Sequence, residues 1–575
     1  MSALKNDKIG AKDSKISLII GSESLEFGRI ERTVESLKGQ TNGNWELLIP
    51  LNENCPVEIR EYLEGVSHSE DRIRSLPNGQ GEILGSINLA LAEASGEFVV
   101  FLRAGDKLDP TALEWCAAVS TREVANLIYA DHAERGMHGA SCFSNLKPMF
   151  DYELLLRNNY LDGFCCFRTE LVRGASIESA YGLENFLHSL TLRMIEQIKF
   201  EGIFHIPLVL SEKMEERFRP SRQVDAEFRN VSQHLGRMAK RGAPRIGSVN
   251  STIIAEDEAI VIDWLPKNPE RKLAIIIPTR DGLDFLKPCV DSILAHASHP
   301  GGLEILIVNN RSAERKTLDY MKSVDGTNGI KVVDFDEEFN WSRANNVAAQ
   351  ATDADLLLFL NNDTEIFTKG FDQVLRGLLD RKEVGAVGAL LLYGNGFIQH
   401  AGTAVGIGGV ASHISVGEAP GDGGYNQINL YDHAVGAVTG AFLAARRDMF
   451  EAVGGFDETD LKIAFNDVDF CLGVTNLGYS VIYTPRIGCL HYESISRGDD
   501  IIDPVKAARA AVEAKFLQDK WGEDLRYDLW YNLTFARSAA PYSAVQMPSA
   551  SAISEYLARQ KHWLSTWRMN FFDSD

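Results

Sequence analysis

The chain repeats itself at a nearly constant interval. Three segments of its first half recur in the second half, in the same order and 257 or 258 positions later. The matched pairs are 15–24 (KISLIIGSES) with 272–281 (KLAIIIPTRD), 46–50 with 304–308, and 101–102 with 359–360. Three matches in one order at one spacing indicate two copies of a single domain.

Within each copy, short apolar runs alternate with helix-like stretches such as 282–296 and 343–352. The runs are 17–20, 46–49 and 98–102, then 274–277, 304–308 and 355–360. Strands that are apolar at nearly every position and separated by helices predict parallel strands buried on both faces, hence a doubly wound α/β domain. Ligands of such sheets lie at the carboxyl ends of the strands, which is where Asp363 falls.

The composition changes between and after the copies suggest four parts. We expect a first domain over 15–215 and a connector over 216–267, which is rich in Arg, Lys and Glu and predicted to be helical. A second domain follows over 268–538, and a helical tail over 539–575.

Composition narrows the class of protein. The 575 residues carry a formal net charge of −22, which disfavours nucleic acid as a partner. The eight cysteines contain no CxxC pair, so reduced, buried thiols are the expected state. The polar start of the chain and the lack of about 18 consecutive apolar residues predict a cytoplasmic protein that does not span a membrane.

Asp363 follows the run 355–360 within the sequence FLNNDTEIF. A carboxylate at a strand end can hold a divalent cation of the magnesium or manganese kind, together with substrate phosphates, and Asn361 and Asn362 could add neutral contacts. The alternative is a turn or a helix cap, because Asn, Asp and Thr favour both.

Two further acids and a histidine occur near the end of the second copy. Asp467 and Asp469 stand at the start of a helix-like run, where an aspartate is either a cap or a general base for a nearby hydroxyl. His491 follows an apolar run and is either a further metal ligand or a structural residue.

Six segments of the second copy together resemble the family-two glycosyltransferases with the GT-A fold. They are most similar to the rhamnosyltransferase-like, two-domain enzymes of bacterial O-antigen and capsule assembly. The resemblance extends in order over about 260 residues, and the first copy with its connector resembles the N-terminal domain of that group. The segments that carry it are IIIPTRDGLDFLKPCVDSIL, ILIVNNRS, FNWSRANNVAAQATDADLLLFLNNDTEIF, AVGALLLYGNGFIQHAG, AVTGAFLAARRDMFEAVGGFDE and AFNDVDFCLGVTNLGYSVIYTPRIGCLHYESISRG.

The resemblance implies a fold and a set of site residues. Each domain is expected to have the GT-A fold, which is Rossmann-like and doubly wound. Asp363 and His491 match metal ligands for Mn²⁺ or Mg²⁺, and Asp467 matches the base that deprotonates the acceptor. The implied donor-binding residues are Pro278, Arg280, Asn309, Arg343, Asn361 and Asn362. The implied acceptor or sugar pocket consists of His400, Thr439, Gly440 and Arg497, although a glycine turn between strands explains the stretches around 400 and 440 equally well.

The implied reaction is an inverting, metal-assisted transfer of a sugar from a nucleotide-sugar, such as dTDP-rhamnose or a UDP-sugar, to a bacterial surface glycan. The acceptor would be a glycan or a lipid-linked saccharide. One rival is a nucleotidyltransferase, which would require a phosphate loop rich in glycine and lysine that IIPTRDGLD does not provide. A second rival is a non-catalytic glycan-binding scaffold. The segment GIGGVA (406–411) fits the dinucleotide-binding pattern of dehydrogenases. That pattern requires a helix after it, and the following SHISVG is not typical of a helix, so a dehydrogenase is disfavoured.

The first copy departs from the family's motifs. Arg103 and Gly105 stand where the family has acids, Asp106 is one step out of register, and Asn185 stands at the place of the base, where it cannot accept a proton. We predict that this copy has lost catalysis and supports the second domain, binds acceptor or mediates assembly. The alternative is a bifunctional chain whose first domain uses Glu184 as base.

The tail has an apolar stripe at helical spacing, interspersed with basic residues. Such a stripe either contacts an anionic membrane peripherally or packs on its own protein or on a homodimer partner, and we favour packing. The stripe consists of Tyr556, Leu557, Trp563, Leu564, Trp567 and Phe571.

Overall fold

Two α/β domains follow each other along the chain in the computed structural model. The structure describes residues 14–21, 25–77, 83–122, 124–135, 142–177, 180, 182–214, 221–241, 246–254, 257–492 and 504–569.

The first domain alternates strands and helices. Its strands are β1 (Ile16–Ile20), β2 (Trp45–Pro50), β3 (Ile73–Leu76), β4 (Phe98–Leu102), β5 (Lys107–Leu108), β6 (Leu127–Arg135), β7 (Cys142–Asn145), β8 (Cys165–Arg168) and β9 (Ile203–Met214). Its helices are α1 (Phe27–Lys38), α2 (Val57–Ser69), α3 (Ile83–Glu93), α4 (Ala112–Arg122), α5 (Tyr152–Arg157), α6 (Thr169–Gly174) and α7 (Gly182–Ile195).

The connector contributes α8 (Ser221–Ala239) and the strands β10 (Ile246–Ile254) and β11 (Asp257–Trp264). The sequence predicted only a helix here, and α8 is that helix. The two strands pair antiparallel as a separate small sheet. Their Val and Ile residues favour strand over helix, and Ile260 and Ile262 are buried.

The second domain repeats the pattern of the first. Its strands are β12 (Leu273–Thr279), β13 (Leu303–Asn309), β14 (Ile330–Asp334), β15 (Leu356–Leu360), β16 (Thr364–Ile366), β17 (Val384–Leu392), β18 (Ile398–His400), β19 (Thr403–Val405), β20 (Ala411–His413), β21 (His433–Ala434), β22 (Phe442–Arg446) and β23 (Ser480–His491). Its helices, with those that follow it, are α9 (Leu283–His296), α10 (Arg315–Val324), α11 (Trp341–Gln350), α12 (Phe371–Leu379), α13 (Arg447–Val453), α14 (Asn466–Asn476), α15 (Pro504–Trp521) and α16 (Ala550–Thr566).

The two main sheets have the same strand order. In the first it is β3-β2-β1-β4-β8-β6-β9-β5, and in the second it is β14-β13-β12-β15-β22-β17-β23-β16. The first four strands of each order are parallel, and the later strands add antiparallel pairs. The strands predicted from apolar runs are almost wholly buried, whereas the edge strands β3 and β14 are partly exposed. The prediction of two tandem α/β domains is confirmed, with mixed rather than purely parallel sheets.

Buried charges join the two domains. Arg157 of α5 forms a 2.7 Å ion pair with Asp432 of the second domain, and each side chain is only 2% exposed. Glu153 on the same helix pairs with Arg381, and the Asp151 carboxylate accepts a 2.8 Å hydrogen bond from the backbone N–H of Ala434. Apolar side chains of both domains also belong to one continuous core. The domains therefore form one packed unit.

The tail helix α16 packs on both domains. Tyr556, Trp563 and Leu564 are at most 5% exposed. The ring of Trp567 contacts the ring of Phe200 in the first domain, while its Nε1–H donates to Ser480 Oγ in the second. The packing prediction for the tail is confirmed for these residues.

The state of the cysteines and the apolar length of the helices can be compared with the expectations from composition. Seven cysteines have described side chains, and all seven are buried and form no disulfide. Within the described ranges, none of the helices is both long enough and apolar enough to cross a bilayer. The predicted position Phe571 lies outside the described residues.

We predict that Asp432→Asn destabilises the protein by about 3 kcal/mol at pH 7, because it leaves the buried Arg157 short of one carboxylate. Burial opposes the charge of Asp432, but Arg486 and Arg157 hold its pKa at about 2. A lowered carboxyl pKa gives stability that is present above the unfolded value of about 3.9 and is lost as the pH falls toward 2. Urea unfolding from pH 7 to pH 3 should show the gap to wild type closing below about pH 4.

The matched control is Asp519→Asn, which removes an exposed pair with Lys515 on one face of α15. It should change the free energy of unfolding by less than about 0.5 kcal/mol. Equal effects of the two substitutions would contradict the role of the interdomain ion pair.

Candidate functional site

The candidate site lies where strands of the second sheet end. The side chains of β15 are fully buried, and the chain then turns through Asn361, Asn362 and Asp363 into β16. Strand β12 is parallel to β15 and ends beside it, so Thr279 Oγ1 can accept a 2.9 Å hydrogen bond from Asn362 Nδ2. The predicted position of Asp363 at a carboxyl strand end is therefore observed.

Asp363 and His491 meet although they are distant in sequence. Antiparallel pairing of β16 with β23 sets Thr364 opposite His491, and the backbone N–H of Tyr492 donates to the Asp363 carbonyl at 2.9 Å. This brings His491 Nε2 to 3.3 Å from Asp363 Oδ1, with both side chains less than a tenth exposed.

Gln399 of β18 orients the histidine. Its Oε1 lies 2.7 Å from His491 Nδ1 and its side chain is buried, so Nδ1 carries the proton and donates it to the amide oxygen. The lone pair of Nε2 then faces Asp363 and Asn361, whose Nδ2 is 3.4 Å away. A second partner of this kind is what fixes the tautomer of a metal-binding histidine. The resemblance placed the stretch 399–402 in a sugar pocket and did not single out this role.

Asp467 is the second residue of α14. Its Oδ2 accepts a 2.7 Å hydrogen bond from the N–H of Gly440, and its Oδ1 accepts one of 2.8 Å from the N–H of Val468. Phe465, just before the helix, is held in the left-handed region at φ 59°, a conformation that costs free energy for a side chain of this size. The half-exposed carboxylate is thus oriented by the backbone and open on one side.

Asp469 has a structural role instead. It is buried, accepts a 2.7 Å hydrogen bond from Trp521 Nε1 and pairs with Lys520 at 2.8 Å. These contacts attach α15 to α14. The residues alone left both aspartates of NDVD open, the resemblance assigned Asp467 as the base, and the neighbours of Asp469 give it a different role.

Trp341 connects the two parts of the site. Its Nε1–H donates to Asn361 Oδ1 at 3.2 Å. A Cβ added at Gly440 would lie 3.1 Å from the edge of the same ring and 3.6 Å from Asp467 Cβ. The Gly440 loop, which also holds Asp467, and the Asn361 turn therefore meet at neighbouring positions on the edge of one indole. Sequence reasoning missed this role of Trp341, because it depends on contacts between distant residues.

Three of the predicted donor-binding residues lie at the ends of β12 and β13. Pro278 is buried, Arg280 is exposed, and Asn309 ends β13 next to them. Asn309 Nδ2 donates to Asp334 Oδ1 at 3.0 Å, so an acid is present beside the position where the family often has one.

Arg343 is already committed to carboxylates. It forms ion pairs of 3.2 Å with Glu337 and 3.1 Å with Glu458. Its backbone N–H is the one that Asn340 caps at the start of α11. The charge of Arg343 is therefore already balanced in this structure, and its role as a donor contact stays a prediction.

The predicted acceptor residues are scattered. Thr439 is half-exposed next to Gly440, and Arg497 lies outside the described residues. His400 is fully buried with its ring centre 4.7 Å from that of His413, and burial holds its pKa well below the usual value. In this structure it is a fully buried, neutral ring.

Asp363 and His491 fit a divalent cation whose other coordination positions would be filled by water and by the phosphates of a substrate. Among the described residues, no group of three or more His, Cys, Asp or Glu side chains is arranged to hold a metal. Mg²⁺ commonly binds through one or two carboxylates together with water and substrate phosphates. Asp363 supplies a carboxylate of this kind, and His491 places a ring nitrogen beside it.

The same place in the first domain contains fixed cations. Arg103 pairs with Glu184 at 2.5 Å, and Lys213 pairs with Asp162 and, at 3.2 Å, with Glu184. Burial opposes the charge of Asp162, yet Lys213 and Arg103 hold its pKa below the usual range. Asp106 is buried and accepts from the N–H of Arg103 at 2.9 Å. The carboxylates here are already balanced by protein side chains.

Comparison with known proteins gives consistent matches. The model of "Glycosyl transferase family 2" matches residues 25–177 and 274–454. The chain is 31% identical over 536 residues to "Uncharacterized protein y4gI" of Sinorhizobium fredii, covering 91% of this chain and 57% of that protein. It is 30% identical over 503 residues to "O-antigen biosynthesis protein RfbC" of Myxococcus xanthus, covering 85% of this chain and 38% of that protein. The chain therefore spans about half or less of the length of these relatives.

A more distant likeness is to a solved structure of GalNAc-T7 with UDP, GalNAc and Mn²⁺. The identity is 15%, the match covers 55% of this chain and 59% of the other, and the TM-score is 0.37.

We predict that Gly440→Ala destabilises the protein by about 1–3 kcal/mol, since the new methyl group must displace the Trp341 ring. Thermal unfolding measures the change. The control is Gly236→Ala in α8, where nothing lies within 4 Å of the new Cβ and the protein should gain about 0.5–1 kcal/mol. A neutral Gly440→Ala would contradict the close packing of Trp341 against this loop.

Proposed function

The chain belongs to glycosyl transferase family 2, and on that premise we propose that its second domain transfers a sugar from a nucleotide-sugar donor to a growing bacterial surface glycan. The observation that supports this most is that Trp341 links the paired Asp363 and His491, through Asn361, to the loop at Gly440 that orients the Asp467 carboxylate. This arrangement offers a binding place for a diphosphate and a base for an acceptor in one site.

Asp363 and His491 are proposed to hold Mn²⁺ or Mg²⁺ together with the donor diphosphate. When bound, the cation would offset the negative charge that accumulates on the departing nucleoside diphosphate. The chain's own contribution is orientation. Gln399 keeps the His491 lone pair directed at the site, and Trp341 holds Asn361 beside it.

Asp467 is proposed as the base that takes the proton from the acceptor hydroxyl. Each of its oxygens accepts one backbone hydrogen bond, so each keeps a second lone pair for the hydroxyl. A proton acceptor must lie within hydrogen-bond distance of the hydroxyl, which a carboxylate held by Gly440 and Val468 can do without moving. Attack on the side of the sugar away from the diphosphate would invert the anomeric configuration.

The nucleotide is proposed to lie over the ends of β12 and β13. Arg280 offers an exposed cation there, and Asn309 with Asp334 offers polar atoms to a base. A dTDP-sugar such as dTDP-rhamnose, or a UDP-sugar, is the proposed donor. The acceptor is proposed to be a glycan or lipid-linked saccharide, which the similarity to an O-antigen biosynthesis protein supports.

The first domain is proposed to be non-catalytic. Lys213 and Arg103 supply in the protein the positive charge that a bound cation would supply in the second domain. Glu184 is the alternative base, but it is ion-paired with both of them and hence poorly placed to accept a proton from a hydroxyl. Its acidic neighbour Asp106 is buried.

The function is tested by a thermal-shift and turnover screen of nucleotide-sugars with and without Mn²⁺. We expect Asp363→Ala to abolish the metal-dependent shift, because it removes a ligand. Asp467→Asn should keep that shift and lower kcat by about 10²- to 10⁴-fold, because an amide cannot take the proton.

Asp106→Ala is the matched control in the first domain and should keep the metal-dependent shift. If Asp106→Ala abolishes it and Asp363→Ala does not, the assignment of the active domain is wrong. A wild-type protein that neither shifts with any nucleotide-sugar nor turns one over contradicts the proposed transfer.

We predict that Gln399→Leu weakens Mn²⁺ binding about 10- to 100-fold, because the His491 ring loses the acceptor that fixes its tautomer. Titration calorimetry with Mn²⁺ and the nucleoside diphosphate measures the change. Gln399→Glu keeps an acceptor for Nδ1–H and should bind within about threefold of wild type. Equal losses in both variants would contradict the orienting role of Gln399.

A further inference from the structure

A large cavity lies between the two domains and the segment that follows the second. Its volume is about 570 Å³, within the range of about 300–1,000 Å³ typical of small-molecule sites. Asp363, Asp467 and His491 do not line it. It is therefore separate from the candidate donor site.

Aromatic rings form one side of this interdomain cavity. Tyr425 and Tyr542 stack with their ring centres 4.9 Å apart and an interplanar angle of 6°. Tyr531 and Phe535 pack against Tyr542 at 4.9 and 5.0 Å. Rigid rings of this kind offer broad apolar surface together with polar hydroxyl groups, which suits the apolar C–H faces and hydroxyls of a pyranose.

A neutral histidine also lines the cavity. His433 donates from Nδ1 to the Tyr431 carbonyl at 2.9 Å, which leaves its Nε2 as an acceptor, and burial lowers its pKa to about 4. A saccharide hydroxyl can donate to a neutral imidazole nitrogen of this kind.

Among the residues that line the cavity, no lysine or arginine is available to an anionic ligand. Lys147 uses its ammonium group to donate to the backbone carbonyls of Ala130, Leu161 and Asp162. Four carboxylates also line the cavity, those of Glu134, Asp151, Asp162 and Asp528. Lys213 already balances Asp162, and burial raises the pKa of Asp151 to about 7, so the wall offers no cation and little free charge. A neutral ligand therefore fits it better than a nucleotide or an acidic sugar does.

The cavity also lies beside the carboxyl ends of strands β6 and β9 of the first sheet. His132 and Glu134 belong to β6, and Asp162 pairs with Lys213 of β9, the strand parallel to β6. In open α/β sheets, this region of strand ends is where ligands bind. The cluster of Arg103, Glu184 and Lys213 is balanced internally, so the space in front of it can accept a neutral ligand.

We propose that the interdomain cavity binds a short neutral saccharide, as an anchoring site for the glycan on which the second domain acts. The inference rests on the proposed function for the origin of the saccharide. It does not depend on that function for binding, since the cavity has its own aromatic, polar and charge complementarity. The first domain then contributes recognition of the product chain instead of a second transfer.

The test is binding of the full chain, without donor or metal, to an array of defined bacterial surface oligosaccharides, both neutral and uronic-acid-containing. Wild type is expected to bind neutral oligosaccharides selectively. Tyr542→Ala should weaken binding about tenfold or more, whereas Tyr542→Phe, which keeps the ring, should bind as wild type does. Asp363→Ala should also bind as wild type does, which separates this site from the proposed transfer.

Trp530→Phe is a second change, which removes the pyrrole part of an indole that lines the cavity and should weaken binding several-fold. Thermal unfolding of each variant confirms that it is folded. The proposal is overturned if wild type binds no neutral oligosaccharide, if it prefers the acidic ones, or if folded Tyr542→Ala and Trp530→Phe bind as wild type does. It is also overturned if Asp363→Ala alone abolishes binding.

Discussion

The candidate site depends on one backbone pairing, that of β16 with β23. These strands come from distant parts of the second domain, and their antiparallel register sets Thr364 opposite His491. Asp363 and His491 consequently meet at 3.3 Å within the rigid sheet, with no need for a mobile loop. Gln399 and Trp341 then fix the remaining freedom of the histidine and of the neighbouring turn. Sites held on strands in this way keep a precise geometry.

The first domain has the same pairing with different charges. Strand β5 pairs antiparallel with β9, as β16 does with β23, and the strand order is the same throughout both sheets. Yet Arg103 and Lys213 supply positive charge where the second domain has Asn361 and His491 near Asp363. The buried apolar strands preserve the fold, while a few residues at the strand ends determine whether a cation from solution is needed. Fold and chemistry are thus encoded in separate residues of the same domain.

Sequence reasoning reached the repeat, the parallel strands and the position of Asp363, because strand periodicity and turn residues are local signals. It also predicted that the tail packs on its own protein. It did not predict β10 and β11, and it gave no role to Gln399 or Trp341. Their functions depend on partners far along the chain, and a single sequence has no local mark for such contacts.

Tertiary contacts alter the charge or the exposure of some predicted site residues. Arg343 is neutralised by Glu337 and Glu458, and His400 is a fully buried neutral ring. Trp521 and Lys520 hold Asp469, whereas Asp467, which the resemblance implied as the base, is held by backbone N–H groups. In each case the charge or exposure of a side chain was decided by residues that are not adjacent to it.

The sequence by itself determined that the chain contains two related α/β domains and that acids follow the ends of their strands. The reason is that apolar periodicity and turn-forming residues act over a few positions. Only the tertiary structure decided which acids meet a histidine, which meet fixed cations, and that a cavity remains between the domains. Those outcomes depend on strand register and interdomain packing, where contacts between distant residues set distance, burial and charge.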